Sequence, residues 1–428
     1  MERTFVNEVK AQVDQQVLVK GWVHRIHDLG RVAFVMLRDK TGMIQLVMEE
    51  DQVNNLRLET AIQVSGTCRM NPKAPGGYEI TAATVTIIGK PDYEVLPFPV
   101  NKEQPVHLET RLDHRTISLR TPKARAPFQV QQGIVEAFRQ YLTGLHFSEI
   151  HTPKIVSAGT EGGSEMFTVK YFDTRAFLAQ SPQFYKQMMV GAGFERVFEI
   201  GNAYRAELHN TWRHLNEYVS LDLEMGFIEH EEEIMALEEG FMRFLMEYLQ
   251  NHYQESLKLL DVTLPAVNPI PRISLAEAQA VLAEKFGKAS PPGNLDAEGE
   301  IQLSQYIKNL YDSEFVFITR YPTAKRPVYT MPYKEDPTVT RSFDLLFRGL
   351  EITTGGQRIH DYQQLMDNMK RFGLNPEPFT FYTETFRYGM PPHGGLAIGL
   401  ERLTMKLCGL SNIREATLLP RDLKRITP

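Results

Sequence analysis

The sequence predicts an α+β protein: a small N-terminal β-barrel followed by a larger domain with a mainly antiparallel sheet flanked by helices. Three observations carry this. Five short strand-like runs separated by turns fill residues 17–90. Prolines 91, 97, 99 and 105 then punctuate a stretch without periodicity. Beyond it, helical and strand-like runs mix without regular βαβ alternation, which argues against a parallel sheet.

Each run has its own signal. Residues 17–26 and 31–38 have strand composition, and Asp39-Lys-Thr-Gly42 is a turn before residues 43–47 alternate again. Residues 61–69 and 78–88 follow the same rule, split by the turn-rich Asn71-Pro-Lys-Ala-Pro-Gly-Gly77. Five short strands suit a small barrel, of which the OB-fold commonly binds oligonucleotides; a ligand-free barrel or sandwich fits the pattern too. The expected organisation is residues 1–90 as barrel, 91–115 as hinge and 116–428 as the larger domain. In that domain, residues 127–145 set Val130, Ile134, Ala137, Phe138, Tyr141 and Leu142 on one helical face. Residues 146–153, 196–204, 218–227, 316–319, 343–351 and 396–400 read as strands. Residues 231–260 read as one long helix whose acidic start suits the positive end of a helix dipole. Short helices are expected at 401–409 and 413–416.

Composition narrows the function. The chain has 428 residues, 42% hydrophobic and 23% charged, with a net charge of −6. A broadly basic coat is excluded, but a local basic face is not: residues 20–40 hold five Lys/Arg against two Asp. Two cysteines, Cys68 and Cys408, exclude a disulfide scaffold and a cysteine-built zinc site. There is no apolar signal core at the start and no run of about eighteen apolar residues, so a cytoplasmic protein is expected, with no membrane partner.

Four clusters can carry chemistry. The first is Phe198-Glu-Ile-Gly-Asn-Ala-Tyr-Arg-Ala-Glu207 running into Leu208-His-Asn-Thr-Trp-Arg-His-Leu-Asn-Glu217. An arginine at a strand end can grip a phosphate or carboxylate with forked hydrogen bonds, although a hairpin of surface ion pairs reads the same way. The second, Gly394-Gly-Leu-Ala-Ile-Gly-Leu-Glu-Arg402, lets a flat ligand lie on the backbone beneath a guanidinium. It is neither a P-loop nor a dinucleotide fingerprint. The third, Gly349-Leu-Glu-Ile-Thr-Thr-Gly-Gly-Gln-Arg-Ile-His-Asp361, sets Glu351 near Asp344, and carboxylates beside phosphates commonly hold Mg²⁺. The fourth joins Gly159-Thr-Glu-Gly-Gly-Ser-Glu-Met-Phe167, a candidate lid, to Gln180-Ser-Pro-Gln-Phe-Tyr-Lys-Gln187.

In this order the clusters resemble the aspartyl branch of the class IIb aminoacyl-tRNA synthetases, of the short archaeal-like type, along essentially the whole chain. Phe147–Pro153 resembles motif 1, Tyr204–Phe227 motif 2, and Gly399-Leu-Glu-Arg402 motif 3. Gly21-Trp-Val-His24 and Leu37–Gly42 resemble the anticodon-binding OB domain. The resemblance implies that ATP and aspartate form aspartyl-adenylate, and that tRNA then accepts the aspartyl group. It implies Arg205 and Arg402 as the catalytic arginines. For ATP it implies Arg205, Glu207, Arg213, His214, Leu215, Phe227 stacking on adenine, Glu351, Gly399, Leu400, Glu401 and Arg402. For aspartate it implies Glu161, Gln183, Lys186, Arg205, Thr354 and Arg358. Mg²⁺ would sit on Glu351 and Thr354. The anticodon would meet His24, Arg25, Phe34, Gln45 and Pro75, with Arg38 as a further polar reader. Motif 1 implies a homodimer.

His24 and Pro75 stand where relatives that charge only the aspartate tRNA tend to have Trp and Lys. They resemble the non-discriminating branch, which charges tRNA(Asp) and tRNA(Asn) and passes the latter to a tRNA-dependent amidotransferase. The competing readings are a strictly discriminating enzyme, an asparaginyl-tRNA synthetase, and a synthetase-like RNA-binding protein without activity. Lys186, Arg358 and Gln357-Arg-Ile-His360 speak against the asparaginyl branch. Arg205, Glu351 and Arg402 speak against an inactive one.

Overall fold

The computed structural model describes residues 1–102, 104–160 and 166–428. The chain forms two compact units, Met1–Thr121 and Pro122–Pro428. In the first unit β1 (Gln16–Asp28), β2 (Val32–Arg38), β3 (Met43–Glu49), β4 (Ala61–Met70) and β5 (Tyr78–Gly89) close a barrel in the order β1-β2-β3-β5-β4. Period-two alternation fills it: Val17, Val19, Ala33, Val35, Leu37, Leu46, Ile62 and Val64 all point inward. One bulge breaks the alternation. Val23 pairs with Leu37 and Arg25 with Met36, so His24 is the extra residue and turns inward beside Val23. The stretch 91–115 carries a helix over Leu108–Asp113, and another over Arg115–Ser118 follows.

The second unit opens with α1 (Pro122–Gly144) and β6 (Ser148–Glu149). A three-stranded side sheet of β7 (Ile155–Val156), β8 (Thr168–Tyr171) and β9 (Thr174–Leu178) follows, with β9 in the middle, then α2 (Gln183–Met189). Next come β10 (Arg196–Tyr204), β11 (Glu217–Gly226), α3 (Glu232–His252), β12 (Arg272–Ser274), α4 (Ala297–Tyr311), β13 (Phe315–Thr319), β14 (Ser342–Phe347) and β15 (Leu350–Arg358). The unit closes with α5 (Thr380–Arg387), β16 (His393–Gly399) and α6 (Leu400–Leu407). The main sheet has eight strands in the order β12-β13-β14-β15-β16-β11-β10-β6, antiparallel except at its two edges.

The two faces of this sheet differ. Leu221, Leu223, Leu345, Ile352, Leu396 and Ile398 face α1 and α3, where Val130, Phe138, Phe241 and Leu245 complete the largest core. The alternate residues Ser220, Asp222, Glu224, Thr354, Gly395 and Ala397 line up on the opposite face through their strand registers. The sheet is therefore a wall with oil behind it and polar chemistry in front.

Three expectations are corrected here. The strand expected over 343–351 is a hairpin, β14 turning into β15 through Arg348 (φ 49) and Gly349 (φ 75). The helix expected over 231–260 breaks at Tyr253, whose hydroxyl donates to Glu136 of α1 at 2.6 Å, before a second helix over Gln254–Leu260. The strand expected over 146–153 shrinks to Ser148–Glu149, because His146 takes a left-handed turn (φ 64).

Candidate active site

A cavity of about 280 Å³ opens on the polar face of the sheet. Arg205, Glu207, Arg213, His214, Leu215, Tyr218 and Ser220 line it from the loop after β10 and from β11. Glu351, Thr354, Ala397, Gly399, Glu401 and Arg402 line it from β15, β16 and the start of α6. The three motif-like clusters, distant in sequence, therefore meet at one wall.

Three arginines and three glutamates line the cavity and brace one another. Arg205 is held near Glu207 (3.7 Å) and over the ring of Tyr218 (5.7 Å). Arg402 donates to the carbonyl of Glu351 at 2.9 Å and lies 3.4 Å from its carboxylate. Thr354 Oγ1 donates to Glu351 Oε1 at 3.3 Å. His214 has its pKa driven down to about 4, first by burial and then by Arg402 and Arg213, so its imidazole is neutral at working pH. Glu401 is buried and props β11 by accepting from the Val219 amide at 3.0 Å; burial pushes its carboxyl up to about 8. Leu400 is buried beneath it.

Beyond Ala397 the wall continues into a closed charge cluster. Lys186 of α2 donates to Asp222 at 2.9 Å and to the carbonyl of Leu396 at 3.0 Å, and lies 3.4 Å from Glu224. Arg358 Nε donates to Glu224 at 3.0 Å, and its Nη2 donates to the carbonyl of Gly395 at 3.0 Å. All four charged side chains are buried. Burial opposes ionisation of Glu224, yet Arg358 and Lys186 together hold its carboxyl below the ordinary range. Gly395 makes room for it, since a Cβ there would sit 2.2 Å from Glu224 Oε2. Asp222 Oδ2 is buried without a hydrogen-bond partner among the described residues.

The structure sorts the expected residues. Gln183, Lys186 and Arg358 come together in the charge cluster, and Arg205, Thr354, Glu351 and Arg402 in the cavity. Glu161 lies outside the described residues. Phe227 is a correction: it lies at the far end of β11, 69% exposed, and does not line the cavity. It is separated from Tyr218 by nine residues, roughly 30 Å of strand. Tyr218 is the aromatic at the cavity, a position the sequence reading passed over because it sought a Phe after the strand rather than a Tyr at its start. Asp222 and Glu224 were also missed as site residues, although their alternate spacing marks one strand face.

On the barrel, Phe34 is half-buried on the outward face of β2, opposite the core-facing Ala33 and Val35. Arg25 and Pro75 are exposed. Gln45 donates to Glu79 at 2.9 Å, and Asn71 donates to the same oxygen. His24 and Arg38 are corrected as exposed readers. Arg38 is buried in a two-pronged pair with Glu59 (3.1 and 2.8 Å), and its Nη1 lies 3.0 Å from His24 Nδ1. The bulge described above puts His24 there.

Comparison with known proteins shows the family. The chain belongs to the class II tRNA synthetases (D, K and N), whose sequence pattern matches residues 107–423, while residues 17–88 match the OB-fold nucleic acid binding domain. Its relatives include the aspartate–tRNA(Asp/Asn) ligase of Thermus thermophilus, 49% identical with all of both chains covered. The aspartate–tRNA(Asp) ligase of Pyrococcus furiosus is 42% identical over 99% of each. Among solved structures, asparaginyl-tRNA synthetase from Pyrococcus horikoshii, complexed with asparaginyl-adenylate, matches with a TM-score of 0.92 at 30% identity over all of both chains. No helix among the described residues is long and apolar enough to cross a membrane.

Proposed function

We propose that this chain is an aspartyl-tRNA synthetase that charges both the aspartate and the asparagine tRNA. The observation that carries the amino-acid choice is the buried cluster of Lys186 and Arg358 against Asp222 and Glu224. A side-chain carboxylate needs charge-assisted donors when it leaves water, and Lys186 and Arg358 supply them. The substrate ammonium needs acceptors, and Asp222 Oδ2 is a buried acceptor in want of a donor. A neutral amide would leave the cations poorly matched, which is how such a site rejects an isostere.

ATP lies along the cavity. Tyr218 offers the stacking face for adenine, and Arg402 and Arg213 flank the phosphates. Arg205 neutralises the charge that grows on the α-phosphate as the aspartate carboxylate attacks phosphorus and pyrophosphate leaves. The protein forms no covalent bond; placement and charge stabilisation lower the barrier. His214, being neutral, serves as a hydrogen-bonding group and not as a cation.

Mg²⁺ fits this wall. Glu351 presents a partly exposed carboxylate, 37% accessible, with the Thr354 hydroxyl behind it. No group of three or more His, Cys, Asp or Glu among the described residues forms a metal cage. That suits an ion held by one carboxylate, water and phosphates. When bound, it supplies positive charge to the phosphate chain.

Phe34, Arg25, Gln45 and Pro75 offer the barrel's stacking and edge contacts for the anticodon. A homodimer through the motif 1 segment, and an amidotransferase acting on the mischarged tRNA, complete the proposal. The test is charging of tRNA(Asp) and tRNA(Asn) transcripts with labelled aspartate. Comparable plateaus on both support the wide scope; a plateau on tRNA(Asp) alone restricts it, and no charging of either removes the proposal.

A further inference from the structure

Behind the charge cluster lies a run of buried polar groups that the mechanism does not use. His393 begins β16, Gln187 sits on α2 and Tyr382 on α5, and all three are essentially inaccessible. His393 Nδ1 lies 2.9 Å from the carbonyl of Pro391, and its Nε2 lies 2.7 Å from Gln187 Nε2. Gln187 Oε1 receives the Tyr382 hydroxyl and the Gln183 amide, each at 3.1 Å.

This arrangement has a single consistent direction. A carbonyl oxygen only accepts, so His393 Nδ1 carries the proton. Burial drives the His393 pKa down to about 4, so the ring is neutral and Nε2 is an acceptor. Gln187 must then turn its NH₂ to His393 and its oxygen to Tyr382 and Gln183. The Tyr382 hydroxyl keeps its proton because burial raises its pKa, so it is available as the donor that this orientation of Gln187 uses. Gln183 in turn must give its NH₂ to Gln187 and Glu224 Oε2 (3.5 Å), and its oxygen to Arg358 Nη2 (3.5 Å). Reversing Gln183 would set donor against donor at Arg358 and acceptor against acceptor at Glu224.

We propose that His393, Gln187 and Tyr382 form a positioning relay that, together with Arg358 and Glu224, holds the amide of Gln183 oxygen-first toward Arg358, and so sets the affinity for the amino acid without touching it. The inference rests on the aspartate-activating reading. The relay orients a residue that meets the substrate; none of its three members is a catalytic residue. Its effect is confined to the amino-acid half of the site, because its hydrogen bonds reach Gln183 and not the residues that line the ATP cavity.

The experiment is ATP–pyrophosphate exchange with the full chain, reading KM for amino acid and KM for ATP separately, alongside thermal melting. Gln187→Met keeps the volume and removes the relay; His393→Met removes its acceptor; His393→Gln restores an acceptor near the Nε2 position. The expected result is an aspartate KM raised about tenfold in Gln187→Met and His393→Met, with the ATP KM within twofold, and most of the loss recovered in His393→Gln. Tyr382→Phe, which removes one donor, raises the aspartate KM by about threefold. The relay is overturned if the Met variants keep the parent aspartate KM, or if both KM values and the melting temperature move together with no recovery in His393→Gln. If the parent exchanges with asparagine instead, the aspartate reading falls, and the same variants read the relay through the KM for that amino acid.

Discussion

The two halves of the site face the same sheet wall but solve different problems. The half proposed for ATP is open: Arg205 is 40% accessible, Glu351 37% and Arg402 26%. The half proposed for the amino acid is shut: Lys186 and Arg358 are 1% and 6% accessible, and Asp222 and Glu224 no more than 2%. An open groove tolerates a flexible polyanion and its metal ion. A closed, charge-balanced cluster is built in advance of its ligand, with each ion already held by its neighbours. Discrimination between two small amino acids suits the second kind of surface, since a carboxylate and an amide match its fixed charges differently. Substitutions should therefore affect activity and stability together in the closed half, and activity alone in the open half.

The largest effect is expected at Arg358. Arg358→Ala strands the fully buried Glu224 carboxylate, which costs on the order of 3–5 kcal/mol of stability and lowers aspartate-dependent exchange by about 10³-fold or more. Adding Glu224→Gln should recover much of the urea midpoint but not the exchange. Next is Glu351→Gln in the open half, where exchange should fall about 10²-fold while the unfolding free energy stays within about 0.5 kcal/mol. Titration with Mg²⁺ checks it: the variant should need more metal, and an unchanged Mg²⁺ dependence would break the assignment.

Tyr218→Ala should raise the KM for ATP about tenfold, the value of one lost stacking contact, while Phe227→Ala leaves it within twofold. The reverse pattern would return the adenine to the exposed end of β11. The smallest effect concerns His214. Its pKa is lowered to about 4, so the ring loses its proton well below neutrality. Exchange should be flat from pH 6 to 8 on its account and change only toward pH 4, where protonation adds a third positive charge beside Arg402 and Arg213. A limb near pH 6.5 that disappears in His214→Gln would show an ordinary histidine instead.

Much of this was legible in the sequence because the chemistry is local there. Glu351 with Thr354 and Arg358, and Gly399 with Glu401 and Arg402, share single strands or strand–helix junctions, so each short stretch of sequence holds them together and the resemblance could assign them roles. The barrel was legible for the same reason, its strands alternating cleanly around short turns. What escaped depends on register. His24 turned inward because one bulge inserts a residue between Val23 and Arg25, and no composition signal marks it. Tyr218 was passed over because only the strand's position shows which end of β11 reaches the cavity. The roles of Asp222 and Glu224 depend on Lys186 and Arg358, which come from other elements. The helix over Leu275–Phe286 carried a readable signal that was missed: Ser274 and Glu277 form a capping box, with the Glu277 amide donating to Ser274 Oγ at 3.2 Å.

The central claim is that the shut half of the site is built for a carboxylate. The direct measurement is ATP–pyrophosphate exchange by the unmodified chain with aspartate and asparagine side by side, with Mg²⁺ and without tRNA. The account predicts exchange with aspartate at least 10²-fold more efficient in kcat/KM than with asparagine, as expected when buried cations meet a neutral isostere. Equal or greater exchange with asparagine would contradict it, and with it the roles given to Lys186 and Arg358.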